Sequence, residues 1–249
     1  MLQPVVDLRE VGPGIVQITM QDKINKNTFS IELIKGLIHA FESIKENVNY
    51  NVVILTGYDN YFASGGTKES LLSIHERKNN FTVGGLYSLA LECDIPVISA
   101  MQGHGIGGGF AMGLFADFII LSRESVYTTN FMKYGFTPGM GATYILPKKL
   151  GFSLGHEMLI GACNYRGSEL ERRGVPFPVM PRQEVMNYAY DLAREIAEKP
   201  RYSLITLKEH LVANIRKELP LVIEQEVIMH EKTFHQDEVK LRINELFGN

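Results

Sequence analysis

Short unbroken apolar runs dominate the first half of this chain, whereas apolar residues three and four positions apart dominate the second. Residues 5–11 and 15–20 are β-compatible stretches joined by Gly12-Pro13-Gly14, strong turn chemistry that predicts an opening hairpin. From 30 to 47, Leu33, Leu37, Ala40, Phe41 and Ile44 fall on one helical face, and 52–57 then reads as a buried strand, which completes a β–α–β step. Residues 96–101 and 118–121 are further apolar runs of strand length, as expected of a sheet covered on both faces, with a short glycine-led helix over 110–116 between them. After Thr143, helical patterns run through Glu171, over 186–198 and over 203–235, and 177–180 is the single strand expected there. The fold class predicted is α/β: a core over 1–195 followed by a helical region over 196–249, with no internal repeat and no linker between them.

Composition narrows the function. A chain of 249 residues, 45% hydrophobic and 21% charged, can bury one sizeable core. A net charge of -3 offers no basic field to a polyanion, which argues against nucleic acid as a partner. The greasy stretch 105–121 is glycine-rich, contains Asp117 and is too short to cross a membrane, and Asp7, Arg9 and Glu10 interrupt any leader-like core. A cytoplasmic protein is expected. Cys93 and Cys163 lack disulfide-scaffold or zinc spacing and are expected to be buried thiols, and no metal site is predicted.

The cluster Gly103-His104-Gly105-Ile106-Gly107-Gly108-Gly109 follows a strand and opens a helix, so it formally satisfies a dinucleotide-binding pattern, with Glu124 about 20 residues on as a ribose-binding acid. The helix available is too short for the crossover that this pattern requires, and a β–α–β step already precedes it. A second reading uses the same residues. Glycines let a ligand approach the backbone, and a helix N-terminus offers unpaired N–H donors that suit an oxyanion. A third is that the glycines serve close helix–sheet packing alone.

Three segments in order, 60–67 (Asn-Tyr-Phe-Ala-Ser-Gly-Gly-Thr), 101–110 around the glycine cluster, and 138–143 (Pro-Gly-Met-Gly-Ala-Thr), resemble signature segments of the crotonase (enoyl-CoA hydratase/isomerase) superfamily. The likeness extends from about Val16 to the C-terminus. It implies a core of β–β–α spiral turns, C-terminal helices that support a homotrimer, and an acyl group held through its thioester. It also implies an oxyanion hole made by the backbone amides of Gly66 and Gly108, a type of stabilisation whose loss costs about 10²- to 10³-fold per donor.

The chain departs from the hydratase pattern where two glutamates are expected. Ala111 stands three residues after Gly108 and Phe131 stands seven before Pro138; as pocket residues neither can move a proton, so hydration is not expected. Loss of CO₂ needs no carboxylate base, because the breaking C–C bond supplies the electron pair and the protein needs only to hold the oxyanion and deliver a proton. The pattern resembles crotonase-type decarboxylases of polyketide β-branching, which convert a 3-methylglutaconyl thioester on an acyl carrier protein to a 3-methylcrotonyl thioester. That resemblance implies a catalytic lysine and histidine, matched here by Lys78 and His230, with Lys68 as the alternative lysine. His230 lies on the apolar stripe Ile223, Val227, His230, Phe234, where it also reads as a core histidine satisfied by Glu226. Lys78 continues the face of Leu71 and Ile74, yet 76–80 also reads as a solvated helix end. His75 is a weaker candidate, His235 is expected at the surface, and His104 either lines the thioester channel or faces solvent. Lys23 and Lys26 either meet a pyrophosphate or are solvated. No cofactor is expected beyond the substrate's own carrier, acyl carrier protein or CoA. The rival functions are a double-bond isomerase and a noncatalytic acyl-thioester binding module.

Overall fold

The computed structural model describes residues 4–78 and 85–247. Strands β1 (Val6–Gly12) and β2 (Ile15–Met20) form the antiparallel hairpin, with a bulge between Glu10 and Gly12. Helix α1 (Ile31–Glu46) follows; the Ser30 side chain caps it by accepting from the Leu33 N–H, and Leu33, Leu37, Ala40, Phe41 and Ile44 are buried, as their spacing predicts.

From β3 (Val52–Thr56) onward the chain repeats one step three times. A strand in a large sheet turns into a short strand of a second sheet, and a helix or 3₁₀ turn leads back. Thus β3 is followed by β4 (Tyr61–Ala63) and α2 (Lys68–His75). A 3₁₀ turn (Leu86–Ser88) and α3 (Leu89–Glu92) lead to β5 (Val97–Met101), β6 (His104–Ile106) and α4 (Gly108–Leu114). Next come β7 (Phe118–Ser122), β8 (Val126–Thr128) and a 3₁₀ turn (Asn130–Tyr134). The sharp switch between sheets depends on Gly57 and Gly103, where an added Cβ would lie 1.9 Å from the Tyr61 carbonyl oxygen and 2.3 Å from the Tyr61 nitrogen. This is the β–β–α spiral that the resemblance implies.

Helices α5 (Ala142–Leu150) and α6 (Phe152–Gly161), strand β9 (Tyr165–Arg166), α7 (Gly167–Arg172), β10 (Val179–Met180), α8 (Arg182–Ala197), α9 (Arg201–Thr233) and α10 (Asp237–Phe247) complete the chain. The large sheet has the order β1-β2-β3-β5-β7-β10, parallel from β2 on, and the small one β4-β6-β8-β9. Alternation along β3 builds two cores. Val52 and Ile54 meet Val185, Ala189 and Ala193 of α8 beneath the large sheet, while Val53 and Leu55 face the main core with α1 and α4.

Several expectations need correction. The strand expected over 177–180 shortens to β10; β9 lies before it, and α10 extends the helical region. The expectation that Cys163 is buried is wrong: it is exposed on the turn after α6, and Cys93 is only half-buried by exposed area although burial still raises its thiol pKa. Cys93 donates its backbone N–H to the Leu89 carbonyl, which explains its place at the end of α3. No helix among the described residues is long and apolar enough to cross a membrane.

Candidate active site

A cavity of about 720 Å³ lies between the 25–34 segment, the 64–66 turn, the N-terminus of α4 and the 3₁₀ turn at 130–134. Its first wall is organised by Asn27, which is fully buried in left-handed backbone (φ 54). The Asn27 amide donates to the carbonyls of Met20 and Phe62 and accepts from the Asp22 N–H. Its own carbonyl accepts from the Ser64 N–H at 2.9 Å, and the Ser64 hydroxyl donates to the Lys26 carbonyl at 2.6 Å. The Phe29 N–H then donates to the Gly65 carbonyl at 2.7 Å. One asparagine thereby locks the 22–29 loop to the turn that presents Gly66.

The second wall is the start of α4. The Gly107 N–H is used by the Thr128 carbonyl at 2.8 Å, and Gly107 has a φ of 56 that favours glycine. Gly108, the next residue, opens the helix and has no carbonyl a turn behind it. The two turns abut: a Cβ on Gly65 would stand 3.0 Å from the Ile106 oxygen and 3.7 Å from the Gly108 nitrogen. Gly66 and Gly108 line the same cavity, with Met140 over Gly108 so closely that an added Cβ would lie 2.3 Å from its sulfur. The glycine cluster therefore divides its work. Gly103 and Gly109 serve packing, against Tyr61 and Ala63, and Gly107 and Gly108 shape the cavity wall.

Met140 sits at φ 61 in the turn before α5, and Glu226 on α9 holds that turn. The Glu226 carboxylate accepts from the Gly141 N–H (2.7 Å), the Thr143 N–H (2.9 Å) and the Thr143 hydroxyl (2.6 Å). Burial raises its pKa, against these hydrogen bonds. Glu226 is thus committed to α5.

Among the described residues no Asp or Glu lines the cavity, and Lys26 is the only formally charged side chain on its wall. Phe131 lines it, together with Tyr134, Phe136 and Phe247, whereas Ala111 is fully buried inside α4, behind the lining. His230 is buried one layer further, its ring 5.7 Å from Phe136 and 5.3 Å from Phe234. It lines a small neighbouring space together with Met140, Glu226 and Tyr87, so Met140 and Phe136 stand between it and the main cavity. Burial, and His235 to a lesser degree, pushes its pKa down to about 3, so the imidazole is neutral at ordinary pH.

Lys78 is exposed at the end of the α2 segment, where its ammonium pairs with Glu76 at 2.7 Å. Asn79 and Asn80, which complete the solvated-end reading of 76–80, lie outside the described residues. Lys68 opens α2, half-buried and away from the cavity lining. His235 is not a surface residue: its side chain is 15% exposed, its Nδ1 meets the His75 carbonyl oxygen at 2.9 Å and its Nε2 lies 3.3 Å from Glu231. His75 in turn reaches the Gln236 carbonyl at 3.1 Å, so both histidines tie α2 to the α9–α10 corner. His104 neither lines the channel nor simply faces solvent; its Nδ1 accepts from the Val126 N–H at 2.9 Å, and burial, then Arg182 and Arg166, lower its pKa. Lys26 is exposed at the cavity, and Lys23 lies 6.0 Å from the Tyr58 ring. Sequence reasoning missed Asn27, Tyr134 and the role of Glu226, which it offered as a partner for His230 and which instead holds Gly141 and Thr143. An Asn in a turn between strand and capped helix was the available signal for the first; none marked the others.

Residues 10–246 match the enoyl-CoA hydratase/isomerase family. The chain is 66% identical to the bacillaene synthase decarboxylase PksI of Bacillus subtilis strain 168, over 249 residues and 100% of both chains. A solved structure of a dehydratase/decarboxylase enzyme couple involved in polyketide β-branching superposes with a TM-score of 0.97 at 66% identity, covering 98% of this chain and 100% of that one. The decarboxylase domain of CurF from Lyngbya majuscula gives a TM-score of 0.95 at 49% identity, with 98% and 100% covered. With the spiral core and the paired glycine turns already in place, these likenesses establish that the chain belongs to the enoyl-CoA hydratase/isomerase family.

Proposed function

We propose that this chain decarboxylates a 3-methylglutaconyl thioester, carried on an acyl carrier protein, to a 3-methylcrotonyl thioester during polyketide biosynthesis. It is an enzyme of the carboxy-lyase type. The observation that carries this reading is the charge of the cavity: Gly66 and Gly108 line it, and no carboxylate does among the described residues. An acid on that wall would repel the substrate's own carboxylate, and an apolar wall favours moving its charge into a delocalised dienolate. The likeness to decarboxylases supports the same choice.

The thioester oxygen is received by the Gly66 and Gly108 amides. His230 and Lys78 remain the proposed partners of the distal carboxylate; on this reading Lys78 exchanges Glu76 for substrate, and Met140 and Phe136 yield to admit contact with His230. The reaction calls for no metal or redox cofactor, because C–C cleavage itself supplies the electron pair. The proposal extends to the assembly: a spiral core over 1–195, a helical region over 196–249, and a cytoplasmic homotrimer. Exposed Leu207, Leu211, Leu221 and Ile228 on α9 support an association through the helical region.

The test is to offer purified protein the 3-methylglutaconyl group on a carrier protein and on CoA, measuring CO₂ and product. CO₂ with a 3-methylcrotonyl product, faster from the carrier, is expected. A hydroxyacyl product without CO₂ would overturn the reading.

A further inference from the structure

Decarboxylation leaves a dienolate that must be protonated at its chain end, and few groups on the cavity wall carry a proton to give. Among the described lining residues only Lys26 and Tyr134 have ionisable side chains. Lys26 is solvent-exposed on the 22–27 loop. Tyr134 is different. Its ring is stacked against Phe136, with centroids 5.8 Å apart and planes at 13°, and against Phe247, at 5.6 Å and 25°. Both neighbours line the cavity as well. Tyr134 is therefore a half-buried phenol whose ring is held by aromatic stacking in the cavity wall.

Resting on the decarboxylase reading, we propose that Tyr134 is a catalytic residue, the general acid that protonates the chain end of the dienolate. The C–C bond to the carboxylate breaks, its electron pair enters the conjugated system and CO₂ leaves. The phenolic O–H bond then breaks as a C–H bond forms at the terminal carbon, and the phenolate recovers its proton from water. Burial raises the pKa of Tyr134 above its ordinary value of 10.0, so the proton is in place at the start of each turnover. Tyr134 lines the main cavity itself, whereas His230 lines the neighbouring space behind Phe136.

The experiment compares the wild type with Tyr134→Phe, which keeps the stacked ring, on 3-methylglutaconyl carrier-protein thioester in D₂O. The expected result is one deuteron in the terminal methyl group with the wild type. For the variant, kcat should fall about 10²-fold with KM little changed, and label should shift to the α-carbon of a β,γ-unsaturated product. CO₂ release by the wild type together with unchanged kcat and label position in Tyr134→Phe would overturn the proposal alone. Absence of CO₂ from the wild type would instead remove the decarboxylase reading beneath it.

Discussion

At Gly109 and Gly66 the same added methyl group meets different neighbours. A Cβ on Gly109 would lie 2.3 Å from the Ala63 carbonyl oxygen and 2.6 Å from its carbon, both backbone atoms of β4. On Gly66 it would lie 3.3 Å from the end of the Leu71 side chain, which can rotate. Gly109→Ala is expected to cost about 3 kcal/mol in denaturant unfolding, despite the helix propensity gained, and Gly66→Ala less than about 1 kcal/mol. Equal losses would mean that the two glycine turns are not packed as described. His230 gives a second residue-level test. Between its folded value near 3 and its ordinary 6.5, the unfolded chain binds a proton that the folded chain refuses. Its contribution is therefore complete above about pH 6.5 and is lost as pH falls, with a slope of up to ~1.4 kcal/mol per pH unit. Glu226 opposes it, because a raised folded pKa adds stability at low pH that is lost as pH rises through that value. Comparing the pH profiles of wild type and His230→Gln isolates the histidine, whose removal should flatten the acid limb.

Among the elements, the turn before α5 shows how a buried charge positions a site. Glu226 on α9 satisfies two amides at the start of α5, and the same turn holds Met140 over Gly108 in left-handed backbone. Glu226→Ala leaves those amides without the carboxylate and should destabilise by about 2–4 kcal/mol, while Glu226→Gln, which keeps an acceptor, should cost about half as much. Thermal and urea unfolding of both variants measure the difference, and a Gln variant as weak as the Ala variant would argue against the clamp. This clamp was not legible in the sequence, because it joins residues 85 apart that share no pattern. The long strands and α1 were legible, since their apolar periods match their geometry. Strands β4, β6, β8 and β9 are two or three residues long, too short for a period to register. At the site, the glycine turns and Phe131 were visible through the ordered motifs that resemble the crotonase family. The burial of His230 one layer behind Met140, and the turning of Lys78 towards Glu76, are products of packing that spacing along one helix does not encode.

On the scale of the whole molecule, α9 is a strut held at two ends. Near its start Lys208 is 3% exposed, and its ammonium donates to the Ala90 and Ile95 carbonyls and pairs with Asp117 at 2.8 Å. Asp117 also accepts from the Val97 N–H, so one buried ion pair joins the helical region to the edge of β5 and β7. The other end is the Glu226 clamp, with His230 one turn beyond it. The 22 residues from Lys208 to His230 span about 33 Å of helix, and Pro220, which cannot donate a backbone hydrogen bond, lies between them. Anchors so far apart, with a weakened turn between them, should contribute separately. Lys208→Met is therefore expected to lose about 3–5 kcal/mol of stability, because it leaves the Asp117 carboxylate without its cation, and Lys208→Met with Asp117→Asn should recover part of that loss. Turnover by the folded fraction should be unchanged, since the clamp still holds the His230 end. Unfolding midpoints and kcat measured on the same samples check both halves. A drop in kcat that tracks the stability loss would show that α9 transmits strain along its whole length and that its two anchors act as one.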